Sequence, residues 1–445
     1  MEPLTHSIIF DGSRCVACTA CCQACPSKAI RVRGGKAAAD PVLCVDCGEC
    51  VRVCPHDAVS VRTSSPSDLK RFRYTVAIPS ITLYTQFGAE VHPGQVLAAL
   101  RRCGFDAAWD QSWICEMAGA ATDTYLSECK GPWPKITATC PAILRLLTIR
   151  YPDLIPHVLP LETPRELTAK LARRKLAATL RIPPEEIGVF HITPCSAIMQ
   201  SIVAPVGLAE SHIDGAFSVA EMYGPLRRAL RELEGEPQQA DESFSPRGLG
   251  WAQAGGPISG MRNANTMAVS GVKDTLYVFD RIESGRFEGV DLIEAYICPD
   301  GCVDGQLLIE GRFSARRTLQ RIIGRIQAQN PVQEEKVRSL FRAHFFDMEG
   351  TVRARNLKPI AGSLQQAIQR HQEKVRLLER LPGRNCAGCG APDCGTLADD
   401  ILAGAAALAD CPFVKLEELE ARLNELGGRA GSPPPRPLSG PERFR

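Results

Sequence analysis

An α/β protein with a small cysteine-rich segment at either end is the fold class this sequence predicts. Strand-like apolar runs alternate with helix-like segments through the middle of the chain, the pattern of a sheet with covering helices. Three of the strand-like runs lead to a cysteine, at Cys140, Cys195 and Cys298. Most of the other cysteines fall in closely spaced groups before residue 55 and after residue 385.

With 445 residues the chain is long enough for several domains and a large core, and 44% hydrophobic residues fit a globular protein. A net charge of +2 with 23% charged residues argues against a nucleic-acid partner. No apolar run reaches the length of a membrane span, and the first ten residues lack the basic-then-apolar form of a signal peptide. The expected location is therefore cytoplasmic. Twenty cysteines in such a chain point to metal ligation rather than disulfides. So many oxidisable thiolates imply a low-oxygen setting.

The first group reads Cys15-x2-Cys18-x2-Cys21-x3-Cys25-Pro26, and the second reads Cys44-x2-Cys47-x2-Cys50-x3-Cys54-Pro55. Each cysteine of the second lies 29 positions after its counterpart, which makes an internal repeat. The spacing matches the bacterial two-cluster ferredoxin run, in which the fourth cysteine of each set ligates the other cluster. One [4Fe-4S] cluster then takes Cys15, Cys18, Cys21 and Cys54. The other takes Cys44, Cys47, Cys50 and Cys25. Zinc is the alternative, disfavoured by eight cysteines in register.

Residues 62–72 are polar and basic and read as a linker. Beyond them, 74–83 is β-rich, 94–102 has helical periodicity, and 135–139 is a short apolar-leaning run before Cys140-Pro141. Thr163-Pro164-Arg165-Glu166 has the form of a capping box with proline at the first helical position. A buried-strand run at 187–192 leads to Thr193-Pro194-Cys195, and Ser218-Val219-Ala220-Glu221 is a second capping box. The apolar run 291–297 delivers Cys298 and Cys302, with Pro299, Gly301 and Gly305 forcing a turn. Open α/β sheets place their sites at strand ends such as these, and close-packed glycines suit a bulky thiolate-held cluster.

These residues carry a resemblance. Ile136-Thr137-Ala138-Thr139-Cys140-Pro141, Thr193-Pro194-Cys195-Ser196-Ala197 and Glu294-Ala295-Tyr296-Ile297-Cys298-Pro299-Asp300-Gly301-Cys302 resemble, in order, the three signature motifs of the [FeFe] hydrogenase large subunit. Gly255-Gly256-Pro257 with Arg262 is similar to a glycine loop of that family. The resemblance implies a hydrogenase-like α/β domain in which Cys140, Cys195, Cys298 and Cys302 hold one [4Fe-4S] cubane. It places Cys302 as a bridge to a two-iron subsite.

Departures accompany the match. Thr139 stands where the family has a proton-relaying cysteine, Ile198 where it has a lysine, and Ser201 where it has a glutamate. Ser259 replaces the glycine loop's glutamate, and Tyr296 a methionine. In the family the lysine anchors anionic ligands of the two-iron subsite, and isoleucine offers no charge-assisted hydrogen bond. The pattern resembles divergent family members assigned a sensory role, and hydrogenase-like cluster-assembly factors.

Toward the C-terminus, 334–345 and 364–381 read as helices. Cys386-x2-Cys389-x4-Cys394-x16-Cys411-Pro412 then resembles the small [4Fe-4S] domain of Rnf-type electron-transport subunits and corrinoid iron-sulfur proteins. A structural zinc site is the alternative. An Ala-rich helix at 397–408 would return the chain to the fourth ligand. Cys22, Cys103, Cys115 and Cys129 are left over; small buried hydrophobes are their default, with Cys115 and Cys129 the nearest in sequence to the first motif. His191 and His212 read as structural. No glycine-rich nucleotide loop of convincing form is present.

The expected organisation is a ferredoxin domain at 1–61, a linker at 62–72, the hydrogenase-like domain at 73–325, a helical connector at 326–381, a helical [4Fe-4S] module at 382–426 and a disordered tail at 427–445. The expected function is electron transfer, or redox or hydrogen sensing, with a redox protein or a multi-subunit electron-transfer complex as partner. An active hydrogenase with an atypical proton path is the first alternative, and an iron-sulfur scaffold or assembly factor the second. The ligand sets amount to four cubanes, so anaerobic analysis is expected to give about sixteen iron and about sixteen sulfide per chain. Saturation near half that content, with stoichiometric zinc, would contradict the central and C-terminal assignments.

Overall fold

Two parallel sheets carry the middle of the chain. In the computed structural model, which describes residues 6–128, 130–234, 243–261, 264–327, 332–355 and 363–427, the larger sheet has four strands. Its order is Ala107–Ala108, Tyr74–Pro79, Ile187–Thr193 and Gly215–Ser218. The smaller sheet runs Thr266–Ser270, Leu292–Tyr296 and Lys135–Ile136. Every pairing in both is parallel. Buried parallel strands read as continuous apolar runs, and all seven residues of Ile187–Thr193 are buried. The register sets Val76 against Val189 and Ile78 against His191. Beside them, Phe190 meets Phe72 edge-on at 5.8 Å and lies 5.7 Å from Phe217.

Helices open where the strands end. Pro141–Arg150 follows the Lys135–Ile136 strand with Cys140 as its N-cap, and Ser196–Val203 follows Ile187–Thr193 with Cys195 as its N-cap. The Ser218 capping box forms as expected, opening Val219–Glu232. The Thr163 box does not. Thr163 instead donates its backbone N–H (2.7 Å) and hydroxyl (3.1 Å) to Glu162. Glu166 turns away to accept from Ser211 and from the His212 amide, each at 2.8 Å. A tertiary claim on the carboxylate has outweighed the local one.

By compactness the described chain divides into two units. The first comprises Met1–Ile30 with Gly35–Leu357. It contains the antiparallel pair Ile8–Phe10 and Val59–Val61, the short helices Ala20–Ala24 and Glu49–Arg52, and both parallel sheets. The expected linker is ordered and partly helical, at Pro66–Leu69, and Ser64 exchanges hydrogen bonds with Ala216 through its backbone N–H (2.7 Å) and its Oγ (3.0 Å). The second unit comprises Arg31–Gly34 with Lys358–Arg445. Its helices are Leu364–Arg380, Cys394–Leu402 and Pro412–Gly427, and Lys374 pairs with Asp399 at 2.7 Å. The expected single helix at 397–408 is instead Cys394–Leu402 followed by a 3₁₀ turn at Leu408–Asp410, broken at Gly404 in the left-handed region. Cys129, Arg262 and the tail from residue 428 lie outside the described residues.

One buried arginine ties the Ser196–Val203 helix down. Arg145 is 2% exposed and donates to the carbonyl of Gln200 (3.3 Å), which also accepts from the Ala204 amide, and to the Ala204 carbonyl just past the helix end. Its charge also faces buried Asp46. Replacing Arg145 with Met is expected to cost about 3–5 kcal/mol, because carbonyls and a carboxylate lose their cation together. A clear drop in the anaerobic melting midpoint checks this; an unchanged midpoint would contradict it.

Candidate metal centre

The strand ends converge on one apolar cavity of about 80 Å³. Cys140 and Cys195 enter it from helix N-termini, and Cys298 and Cys302 from the turn after the Leu292–Tyr296 strand. Two glycines make this approach feasible. A Cβ on Gly301, whose φ is +74°, would lie 2.7 Å from the Ala254 nitrogen, and one on Gly305 would lie 2.4 Å from the Pro194 carbonyl oxygen. A side chain at position 301 would push the turn off the 252–254 backbone, and one at position 305 would push it away from Pro194 and Cys195.

Burial dominates the electrostatics of the four thiols. It pushes Cys195 up to about 11 and raises Cys140, Cys298 and Cys302 as well. Repulsion from its neighbours adds to Cys298, which feels Cys195, Cys140 and Cys302, so the set is mutually close. Four buried sulfurs that resist ionising alone suit a group supplying its own positive charge, as iron does. Among the described cysteines no disulfide forms.

The N-terminal cysteines also lie close to one another. Cys21 feels Cys18, Cys15 and Cys54, whereas Cys50 feels Cys44 and Cys25 more strongly than Cys21. Burial is the larger cause in each case, pushing Cys21 up to about 11 and Cys44 up to about 12. In the second unit Cys389 feels Cys411, and Cys394 opens its helix. Cys22, 0% exposed, donates its thiol to the Ile30 carbonyl at 3.2 Å, a structural role. Cys103 is half-buried, and Cys115 is buried and lines the central cavity.

A polar seam joins the N-terminal segment to this cavity. Cys47 itself lines the cavity wall. Asp46 accepts from the Ser7 amide (2.7 Å) and hydroxyl (2.8 Å), while Ser196 donates to the Asp46 carbonyl at 2.7 Å. Arg52 donates to Asp304 Oδ1 at 3.0 Å and lies 3.7 Å from the Cys298 sulfur. Sequence reading missed Arg52, since nothing in its local pattern marks a basic residue between Cys50 and Cys54 as reaching another motif. It also missed Arg165 and Trp251, which stand in the cavity wall with His191.

A family model for the C-terminal domain of the iron-only hydrogenase large subunit matches residues 73–223 and 218–306, just over half of the chain. The chain belongs to this family. A 4Fe-4S dicluster model matches residues 14–58, and an Fe-S cluster model matches 381–413. The periplasmic [Fe] hydrogenase large subunit of Nitratidesulfovibrio vulgaris is 27% identical over 381 residues, covering 71% of this chain and 90% of that protein. One subunit of the Na(+)-translocating ferredoxin:NAD(+) oxidoreductase complex of Acetobacterium woodii is 44% identical over 52 residues, 12% of this chain and 16% of that one. Among solved structures, [FeFe]-hydrogenase HydA1 of Chlamydomonas reinhardtii, in a variant form, aligns at 15% identity and TM-score 0.49, covering 66% of this chain and 97% of that chain.

This iron-only hydrogenase relative is thus an iron-sulfur protein, and the positions where it departs from the family pattern separate in space. Thr139 and Ile198 line the central cavity. Ser201 lines a neighbouring one, beside Leu144 and Glu166, and donates to the Ile198 carbonyl at 2.8 Å. Ser259 lines neither and donates to the Gly256 carbonyl at 2.8 Å. Tyr296 is buried, its hydroxyl 3.4 Å from the Trp251 carbonyl.

Glu294, 0% exposed on the strand that leads to Cys298, accepts from the Gly255 amide at 2.9 Å. Burial pushes its carboxyl up to about 8, from an ordinary value near 4.5. A raised carboxyl means that the folded state holds the proton more tightly than the unfolded one. Its stabilising effect is therefore full below about pH 4.5 and is lost as pH rises through about 8. Anaerobic unfolding between pH 5 and 8.5 is expected to show wild type losing stability with rising pH, and Glu294→Gln losing distinctly less. Equal slopes would contradict a proton on Glu294.

Proposed function

We propose that this chain moves electrons, or reports a redox state, through a hydrogenase-like domain that turns over little or no hydrogen. In this reading four [4Fe-4S] clusters are held by the ligand sets expected from sequence. Cys15, Cys18, Cys21 and Cys54 hold one, and Cys44, Cys47, Cys50 and Cys25 another. Cys140, Cys195, Cys298 and Cys302 hold the central cubane, and Cys386, Cys389, Cys394 and Cys411 the last. Each cluster supplies one-electron redox chemistry when bound. The observation that carries the reading is Cys47 in the wall of the central cavity, with Arg52 beside Cys298. It brings a ferredoxin-type ligand to the same space as the hydrogenase-type ligands, a short route for an electron.

The cavity is poor in groups for proton work. A hydrogenase needs side chains that gain and lose a proton cheaply near working pH. Thr139 does not titrate there, and Ile198 leaves a subsite ligand without the family's lysine. His191 is held neutral, pushed down to about 3 by burial. A redox protein or a larger electron-transfer assembly is the partner class, in keeping with a relative whose name makes it one subunit of an oxidoreductase complex. No described helix is long and apolar enough to cross a membrane. A cytoplasmic, low-oxygen setting suits the many reduced thiols.

Slow hydrogen chemistry is the second reading, favoured by one feature. Thr139 also lines a small cavity shared with Glu162, a buried carboxyl that burial raises. After supply of the diiron cofactor and a low-potential donor, hydrogen evolution is expected to be little or none, and Thr139→Cys alone is expected to restore little. Fast evolution by the unmodified protein, abolished by Glu162→Gln, would establish the second reading instead.

A further inference from the structure

We infer that Arg165 makes the central cavity a socket for a small anion, taking over the cationic role left vacant at Ile198. The inference rests on the proposed reading that this cavity holds the hydrogenase-type cubane. Arg165 comes from the first turn of the Pro164–Leu180 helix, a different element from the one that carries Ile198, and lines the cavity with Ile198, Thr139 and His191. No carboxylate lines that cavity, although Arg165 also reaches the neighbouring one, where its charge acts on buried Glu162. The guanidinium is loosely held, with Nη1 3.4 Å from the Thr139 carbonyl and Nη2 3.5 Å from Ser201 Oγ. Its Nε is buried without a partner among the described residues, and Arg165 enters none of the ion pairs there. A guanidinium carries five N–H donors, so most of its capacity is uncommitted.

The departures from the family pattern support the same assignment together. Glutamate at position 201 would put a carboxylate beside Nη2 and cancel the charge; serine leaves it available. Isoleucine at 198 removes the second cation that would otherwise compete for the same ligand. His191 adds a neutral ring in the wall, its Nδ1 without a partner. The ligand chemistry is a compact monovalent anion of the cyanide class, from one of two sources: cyanide bound to iron in a two-iron subsite, or a free anion.

The test uses the full chain, anaerobically reconstituted, with the cubane signal and iron content recorded first. Absence of the central cubane would overturn the proposed reading, and this inference with it. With the cubane present, infrared spectra are taken after addition of a synthetic diiron carbonyl–cyanide complex and, separately, of azide. Retention of the complex assigns an iron-bound source, and azide binding alone a free one. In either arm Arg165→Met is expected to weaken retention at least tenfold with the cubane intact, Arg165→Lys to keep part of it, and Ser201→Glu to weaken it with Arg165 in place. Arg165→Met combined with Ile198→Lys is expected to restore retention, returning a cation to the family's position. Equal retention in wild type and Arg165→Met, or binding of neither probe by wild type, overturns the inference. So does an effect confined to the cubane's potential, which would make Arg165 only a counter-charge for the cluster.

Discussion

Four sulfur atoms buried in one apolar cavity set the conditions for the rest of the central domain. A thiolate out of water is costly unless positive charge or hydrogen bonds meet it, and burial raises all four thiols here. The fold answers with what lies at parallel strand ends. Cys140 and Cys195 cap helices, where backbone N–H groups and the helix dipole favour negative charge. The Cys298–Cys302 turn is brought in by glycines that allow backbone to touch backbone. Arg145, although it touches no cysteine of the set, fastens the far end of the helix that Cys195 opens.

The same requirement explains why the N-terminal segment packs into the central domain's own compact unit. Arg52 satisfies Asp304 and lies beside the Cys298 sulfur, so one side chain joins the two cysteine systems. Ser7, Asp46 and Ser196 complete the seam with buried hydrogen bonds whose loss would leave polar atoms dry. The proposed electron route and the structural joint share one set of contacts.

Much of this was legible because cysteine spacing and strand patterning are local. The 29-residue repeat marks two sets of N-terminal cysteines, and the apolar runs before Cys140, Cys195 and Cys298 mark strands that lead to one cavity. What stayed hidden is tertiary. Thr163 to Glu166 has the letters of a capping box, yet Glu166 is taken by Ser211 and His212, and Arg165 between them turns into the cavity. The linker reading of 62–72 followed from composition, which cannot reveal that Ser64 bonds to the edge strand through Ala216. Ser201 and Ser259 were grouped with Thr139 by motif position, and only the fold separates them from the central cavity.

The electrostatics of the cavity bind these observations into one argument. A guanidinium in an apolar space acts in opposite directions on the two things a hydrogenase site must accept. It favours an anion there, and it disfavours any added proton on nearby groups. His191 registers the second effect, since the Arg165 charge joins burial in holding its ring neutral. In the family pattern a titratable cysteine, a lysine and a glutamate divide these tasks, so that the cation is balanced and the proton has a path. Here threonine, isoleucine and serine stand in those places and the charge of Arg165 is left without a carboxylate in the cavity wall. On the proposed reading, the same charge that would hold an anion is the one that keeps protons off the cavity wall.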